Sequence, residues 1–171
     1  MIAPFWADVD TRAGGRPSRN GVYWDVRPGQ VVVTWHNVGF YPNDNSRENT
    51  FQLVIISNEL LDQDELWRVQ FRYARCEWTT GGASGGHGGL GGVPAQAGFD
   101  AGNGRTYEIL PGSGTGGVLD LCRTSNVGVP GIWEFDIYRG NPQMSLPADG
   151  AVESQDFSRP AARPPRRRRR D

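Results

Sequence analysis

A chain of 171 residues with 24 Gly, 12 Pro, 6 Trp, 5 Tyr and 7 Phe has room for one core. It is punctuated too densely for a helical bundle, which favours many short strands joined by turns. The formal charge of −1 covers two unlike regions: 11 Arg against 16 acidic residues up to residue 150, net −5, and 7 Arg against 3 acidic residues over 151–171, net +4. The acidic part offers no basic face to a phosphate backbone, which argues against a nucleic-acid partner, and no apolar run approaches the ~18 residues that span a bilayer.

The chain opens without the basic, apolar and small-residue zones of a signal peptide. Met1 runs directly into a strand-like segment, 2–8, which reads as the inside of an N-terminally incomplete domain, with a first strand expected at 4–9. Further strands are expected at 22–26, 31–35, 51–56, 67–73, 76–79, 95–99, 107–110, 118–121 and 132–138. The clearest places Trp67, Val69, Phe71 and Tyr73 on one face and Arg68, Gln70 and Arg72 on the other. Trp133, Phe135 and Ile137 alternate in the same way with Glu134 and Asp136. Ten strands at this spacing predict an all-β fold, an antiparallel β-sandwich of jelly-roll type, over residues 1–145.

Between the strands, Arg19-Asn20-Gly21 and Arg27-Pro28-Gly29 read as tight turns. The segment 41–49 reads as a polar surface loop and 58–66 as the one short helix. Eight of the twelve residues in 81–92 are Gly, which predicts a long flexible or ligand-ordered loop. From 146 the apolar content collapses, and Arg-Pro-Pro followed by five Arg predicts a disordered tail over 146–171. The tail reads as a solvated appendage, a binder of acidic polymers or a processing site for a basic-specific protease.

Several motifs touch on chemistry. Gly82, Ser84 and Gly86 have the G-x-S-x-G spacing of a hydrolase elbow, and His87-Gly88-Gly89 imitates an oxyanion-hole sequence, but glycines continue where the elbow's helix should start, and the only other His, His36, lies upstream of Ser84. Two G-x-G-x-x-G matches, beginning at Gly86 and Gly112, open no helix of a βαβ unit, and a chain without Lys has no phosphate-loop lysine. No catalytic residue and no cofactor site are therefore expected. Asp8 and Asp10, at alternate positions of the first strand, are weak metal candidates, for calcium or as an acid–base pair; a solvated strand face or turn-forming hydrogen bonds is the plainer reading. Neither His36 nor His87 has partners at ligand spacing. Cys76 and Cys122 lack the close-set partners of a zinc site; they either pair, at roughly 4 kcal/mol of chain-entropy stabilisation, or stay buried as free thiols. No N-x-[ST] sequon occurs.

The opening string from Ile2 through Pro4, Phe5, Trp6, Asp8 and Asp10 to Arg12 resembles the start of the nidogen-like (NIDO) domain found in nidogen, alpha-tectorin and sushi, nidogen and EGF-like proteins. Further blocks follow in that family's order: Val32-Val33-Thr34-Trp35, Asn49-Thr50-Phe51, Glu77-Trp78-Thr79-Thr80-Gly81, Gln96-Ala97-Gly98-Phe99-Asp100, Leu110-Pro111-Gly112 and Val129-Pro130-Gly131-Ile132-Trp133. The resemblance covers about residues 2–138. It implies a non-catalytic extracellular module of cell-matrix adhesion or matrix assembly, with matrix or cell-surface proteins or glycans as partners. It also implies strands upstream of Ile2, while the polybasic tail departs from the pattern. Its glycines and Trp35, Trp78 and Trp133 read as packing residues. A calcium- or glycan-binding lectin-like module, with its site near Asp8, Asp10 or Asp100, is the alternative.

Overall fold

The computed structural model describes residues 1–13 and 20–138 and the backbone of 141–144. The predicted tail and Arg19 of the first predicted turn lie outside the described residues. Among the described residues there are ten strands: β1 (Ile2–Trp6), β2 (Val9–Asp10), β3 (Gly21–Arg27), β4 (Gln30–Phe40), β5 (Asp44–Ile56), β6 (Leu66–Arg75), β7 (Gln96–Asp100), β8 (Tyr107–Ile109), β9 (Ile132–Tyr138) and β10 (Asn141–Met144). All pairings are antiparallel. Seven strands form one sheet in the order β10-β9-β6-β5-β4-β2, with β3 also on β4; β1-β7-β8 form the second sheet. This is the expected all-β sandwich.

Period-two alternation makes the large sheet two-faced. Register carries Trp35, Phe51 and Tyr73 across one row, then Val33, Leu53, Phe71 and Trp133, then Val31, Ile55, Val69 and Phe135. Against the middle of these rows pack Phe5, Ala97, Phe99, Leu110, Val118 and Leu121. The aromatic contacts are close: Phe5 meets Trp78 edge-on at 5.3 Å, and Phe99 meets Phe135 at 5.3 Å. The opposite face carries an ion-pair ladder, in which Arg68 grips Asp136 through two bonds of 2.6 and 3.0 Å and reaches Glu134 at 3.2 Å. Tyr73 crosses between the sheets, its hydroxyl donating to the Pro4 carbonyl at 2.7 Å, and burial raises its pKa well above the usual value.

Turn chemistry fixes the edges. Pro28-Gly29 closes the β3–β4 hairpin, with Gly29 at φ +75°, where a second turn residue without Cβ is favoured. At Gly98 in β7 a Cβ would sit 2.1 Å from the Glu108 carbonyl oxygen, so only Gly lets β8 approach.

Six expectations need correction. The stretch 118–121 is no strand but part of a 3₁₀ helix, Gly116–Cys122, begun by Thr115 accepting the Gly117 N–H at 3.1 Å; three residues per turn put Val118 and Leu121 on one buried face. Residues 76–79 are irregular, because side chains and a loop, rather than a neighbouring strand, satisfy their backbone. The polar segment 44–49 is the first half of β5, leaving only 41–43 as a turn. The helix spans only Asn58–Leu61 and ends where Asp62 enters the left-handed region at φ 54°. The strand-like 4–9 is broken between β1 and β2. The glycine-rich segment, expected to be flexible or ligand-ordered, is an internally hydrogen-bonded structure, described next.

Candidate functional site

The segments 41–49 and 81–92, read from sequence as separate loops, meet at Asp8. Its carbonyl oxygen accepts the Tyr41 N–H at 2.9 Å, while its carboxylate accepts the Ser84 N–H at 2.9 Å. Gly82 N–H donates to the Tyr41 carbonyl at 2.6 Å. Gly81 must lack a side chain, since a Cβ there would lie 2.4 Å from that of Asp8.

Two residues on, Asp10 performs a parallel task. Its buried carboxylate accepts the backbone N–H groups of Arg12 at 3.0 Å and Asn43 at 2.9 Å, and the Arg12 guanidinium at 2.6 Å. The Arg12 side-chain bond, helped by the two backbone donors and opposed by burial, holds the Asp10 carboxyl far below the usual range. Arg12 then lies over the Tyr41 ring at 5.9 Å.

The glycine loop is built on close backbone contact. Ser84 and Gly86 N–H groups return to the Gly81 carbonyl at 3.2 and 3.0 Å, His87 and Leu90 bridge each other at 2.8 and 3.3 Å, and Val93 N–H reaches the Ser84 carbonyl at 2.9 Å. A Cβ on Gly86 or Gly92 would fall 2.5 or 2.4 Å from a carbonyl oxygen. The glycines here serve close approach, which composition alone reads as flexibility.

Beneath the loop, Asn49 does what a strand pair would do elsewhere. Its amide donates to the Trp78 carbonyl at 2.9 Å and accepts the N–H groups of Glu77 and Trp78 at 2.7 and 3.2 Å. Thr79 and Thr80 N–H groups donate to the Gly89 carbonyl. The fully buried Trp78 indole donates to the Val38 carbonyl at 3.0 Å. Sequence reasoning placed Asn49 in a polar loop and in a family block but missed its buried role, because a polar residue inside a polar stretch gives no sign that it is buried. Exposed on these segments and on β1 are Trp6, Tyr41, Leu90, Val93 and the Arg12 side chain, which lies over the Tyr41 ring.

The other motif residues fall elsewhere. Ser84 ends a 3₁₀ turn, Gly82–Ser84, capped by Gly85 in the left-handed region, so no strand-to-helix elbow presents it. His36 lies on β4 opposite Gly21. Asp100 accepts the Gly102 N–H and shapes its own turn. Among the described residues no three His, Cys, Asp or Glu side chains converge as a metal site, and no helix is long and apolar enough to cross a membrane. Cys76, just past β6, is joined to Cys122 at the end of the 3₁₀ helix, with Cα atoms 6.1 Å apart.

These features define a disulfide-bonded all-β module whose acidic motif residues hold its own loops. The chain belongs to the nidogen-like domain family, whose model matches residues 1–139. It is similar to mouse alpha-tectorin, 34% identical over 93% of this chain and 8% of that protein, and to Drosophila melanogaster nidogen, 40% identical over 63% and 8%. Bombyx mori protein mesh is 35% identical over 67% of this chain and 8% of its own length. The chain thus spans under a tenth of these relatives. No solved structure matches it.

Proposed function

We propose that this chain is a non-catalytic extracellular module of cell-matrix adhesion or matrix assembly, and that the surface clamped by Asp8 and Asp10 is what it presents to a matrix or cell-surface protein or glycan. One observation carries the reading: Asp8 binds the turn at 41–43 through its backbone and the glycine loop through its carboxylate, so two remote loops make one ordered surface. Ordering before contact lowers the entropic cost of binding, and the exposed Tyr41 ring beside Arg12 suits a contact centre. Family membership and the Cys76–Cys122 disulfide support the extracellular setting. The module extends to about residue 145, with 146–171 outside it.

In this reading Asp8 and Asp10 are clamps and not calcium ligands, because their oxygens already accept backbone and guanidinium donors. The test is a binding panel of matrix proteins and glycans against the wild type, Trp6→Ala and Tyr41→Ala, with calcium titrated separately. Binding lost in either variant at unchanged melting temperature supports the platform. Absence of binding across the panel overturns it, and calcium-dependent binding would move the site to the carboxylates.

A further inference from the structure

Among the described residues, β3 is an edge strand that carries neither Pro nor a bulge. All seven of its residues pair with β4 with no register shift, and among the described residues it pairs with no other strand. Exposed edges are ordinarily blunted by Pro, bulges, short length or uncompensated charge. Here the two charged residues, Asp25 and Arg27, neutralise each other at 2.6 Å.

The side chains of β3 continue the apolar face of the large sheet past the reach of the small one. Val22 stands opposite Trp35, Trp24 opposite Val33, and Val26 opposite Val31. Yet Val22 is 39% exposed, Trp24 73% and Val26 66%, whereas Leu53 and Phe71, farther along the Trp24 row, are buried.

We propose that β3 is the interface of a two-fold dimer, in which two copies pair antiparallel about Trp24. The strand is self-complementary in that register: Trp24 faces Trp24, Val22 faces Val26, Tyr23 faces Asp25 and Gly21 faces Arg27, with no like charges opposed. Centring the pair on Asp25 instead would set two carboxylates face to face, which is destabilising. Pairing about Trp24 joins the apolar rows of both copies, Val33 and Trp24 meeting their equivalents, and a closed two-fold contact satisfies both edges at once. The loop platform takes no part, so this inference stands apart from the proposed function.

Sedimentation equilibrium of the full chain across a wide concentration range, for wild type, Trp24→Arg and Trp24→Cys, is the test. Wild type should dimerise, and Trp24→Arg should weaken association at least ~10-fold while leaving the monomer's melting temperature unchanged. Facing Cα atoms in an antiparallel pair are ~4.5–5.5 Å apart, within disulfide range. Trp24→Cys should therefore oxidise to a covalent dimer, and Val26→Cys should cross-link when mixed with Val22→Cys but not alone. A wild type that stays monomeric overturns the proposal and leaves the edge to a strand from another chain. A dimer indifferent to Trp24→Arg overturns it in favour of another surface.

Discussion

Replacing Asn49 with Ala tests whether an irregular, buried segment is held by one side chain. The substitution removes one donated and two accepted bonds to residues 77–78. Water can replace the partner of the partly exposed Glu77 N–H, but the N–H and C=O of Trp78 belong to a fully buried residue. Each such orphaned group costs about 1–3 kcal/mol, so the expected loss is about 3 kcal/mol, or about 6–12 °C in melting temperature at this chain length. Urea denaturation followed by tryptophan fluorescence measures it. Asn49→Asp sharpens the test: the carboxylate keeps the accepted bonds but faces the Trp78 carbonyl, so its destabilisation should shrink in acid, where the protonated form donates again. A loss below about 1 kcal/mol for Asn49→Ala would refute the staple, because the segment would then be finding partners without it.

Reducing the Cys76–Cys122 bond, which spans 46 positions, should lower stability by about 4 kcal/mol on the chain-entropy model, read as a fall in urea midpoint; an unchanged midpoint would mean the 3₁₀ helix docks unaided. Gly98→Ala should destabilise by more than the ~1 kcal/mol typical of core-neutral changes, since the new Cβ meets the Glu108 carbonyl, and circular dichroism melts would show it. The pKa of Asp10 is depressed in the folded chain from an ordinary value of 3.8, so its contribution is complete above that pH and is lost as pH falls below it. The stability gap between wild type and Asp10→Asn should accordingly be widest near neutrality and close toward pH 2; a gap independent of pH would show that the charge is immaterial.

The strands that sequence reveals most clearly are those with one wet face. In β6 and β9 the Arg68, Gln70, Glu134 and Asp136 side of the sheet meets solvent and the Phe71, Trp133 side the core, so alternation survives in the residue order. The 3₁₀ helix was lost because a short apolar run looks alike in either geometry, although the spacing of Val118 and Leu121 by three was a usable sign. The first half of β5 was lost because its exposed, polar residues resemble a loop. At the candidate site, Asp8 and Asp10 were legible only as weak metal candidates or as carboxylates on a solvated face or in turns, because the Tyr41, Asn43 and Ser84 groups they hold reach them only through the fold. Gly86 and Gly92 show the same limit, since a glycine needed for close approach and one that merely bends are the same letter.

The pairing of Ile2 with Phe99 also bears on how the domain is made. The hairpins from β3 to β6 close over short loops, whereas among the described residues β1 pairs only with β7, nearly a hundred residues further along the chain. Closing so long a loop is entropically costly and is rewarded only late, so topology of this kind folds slowly. Until β7 arrives, the aromatic rows through Phe51 and Phe71 lie open along a nascent sheet. β1 is thus made well before it can be placed, and a chain cut short before β7 retains most of its large sheet without the strand that pairs β1 over it.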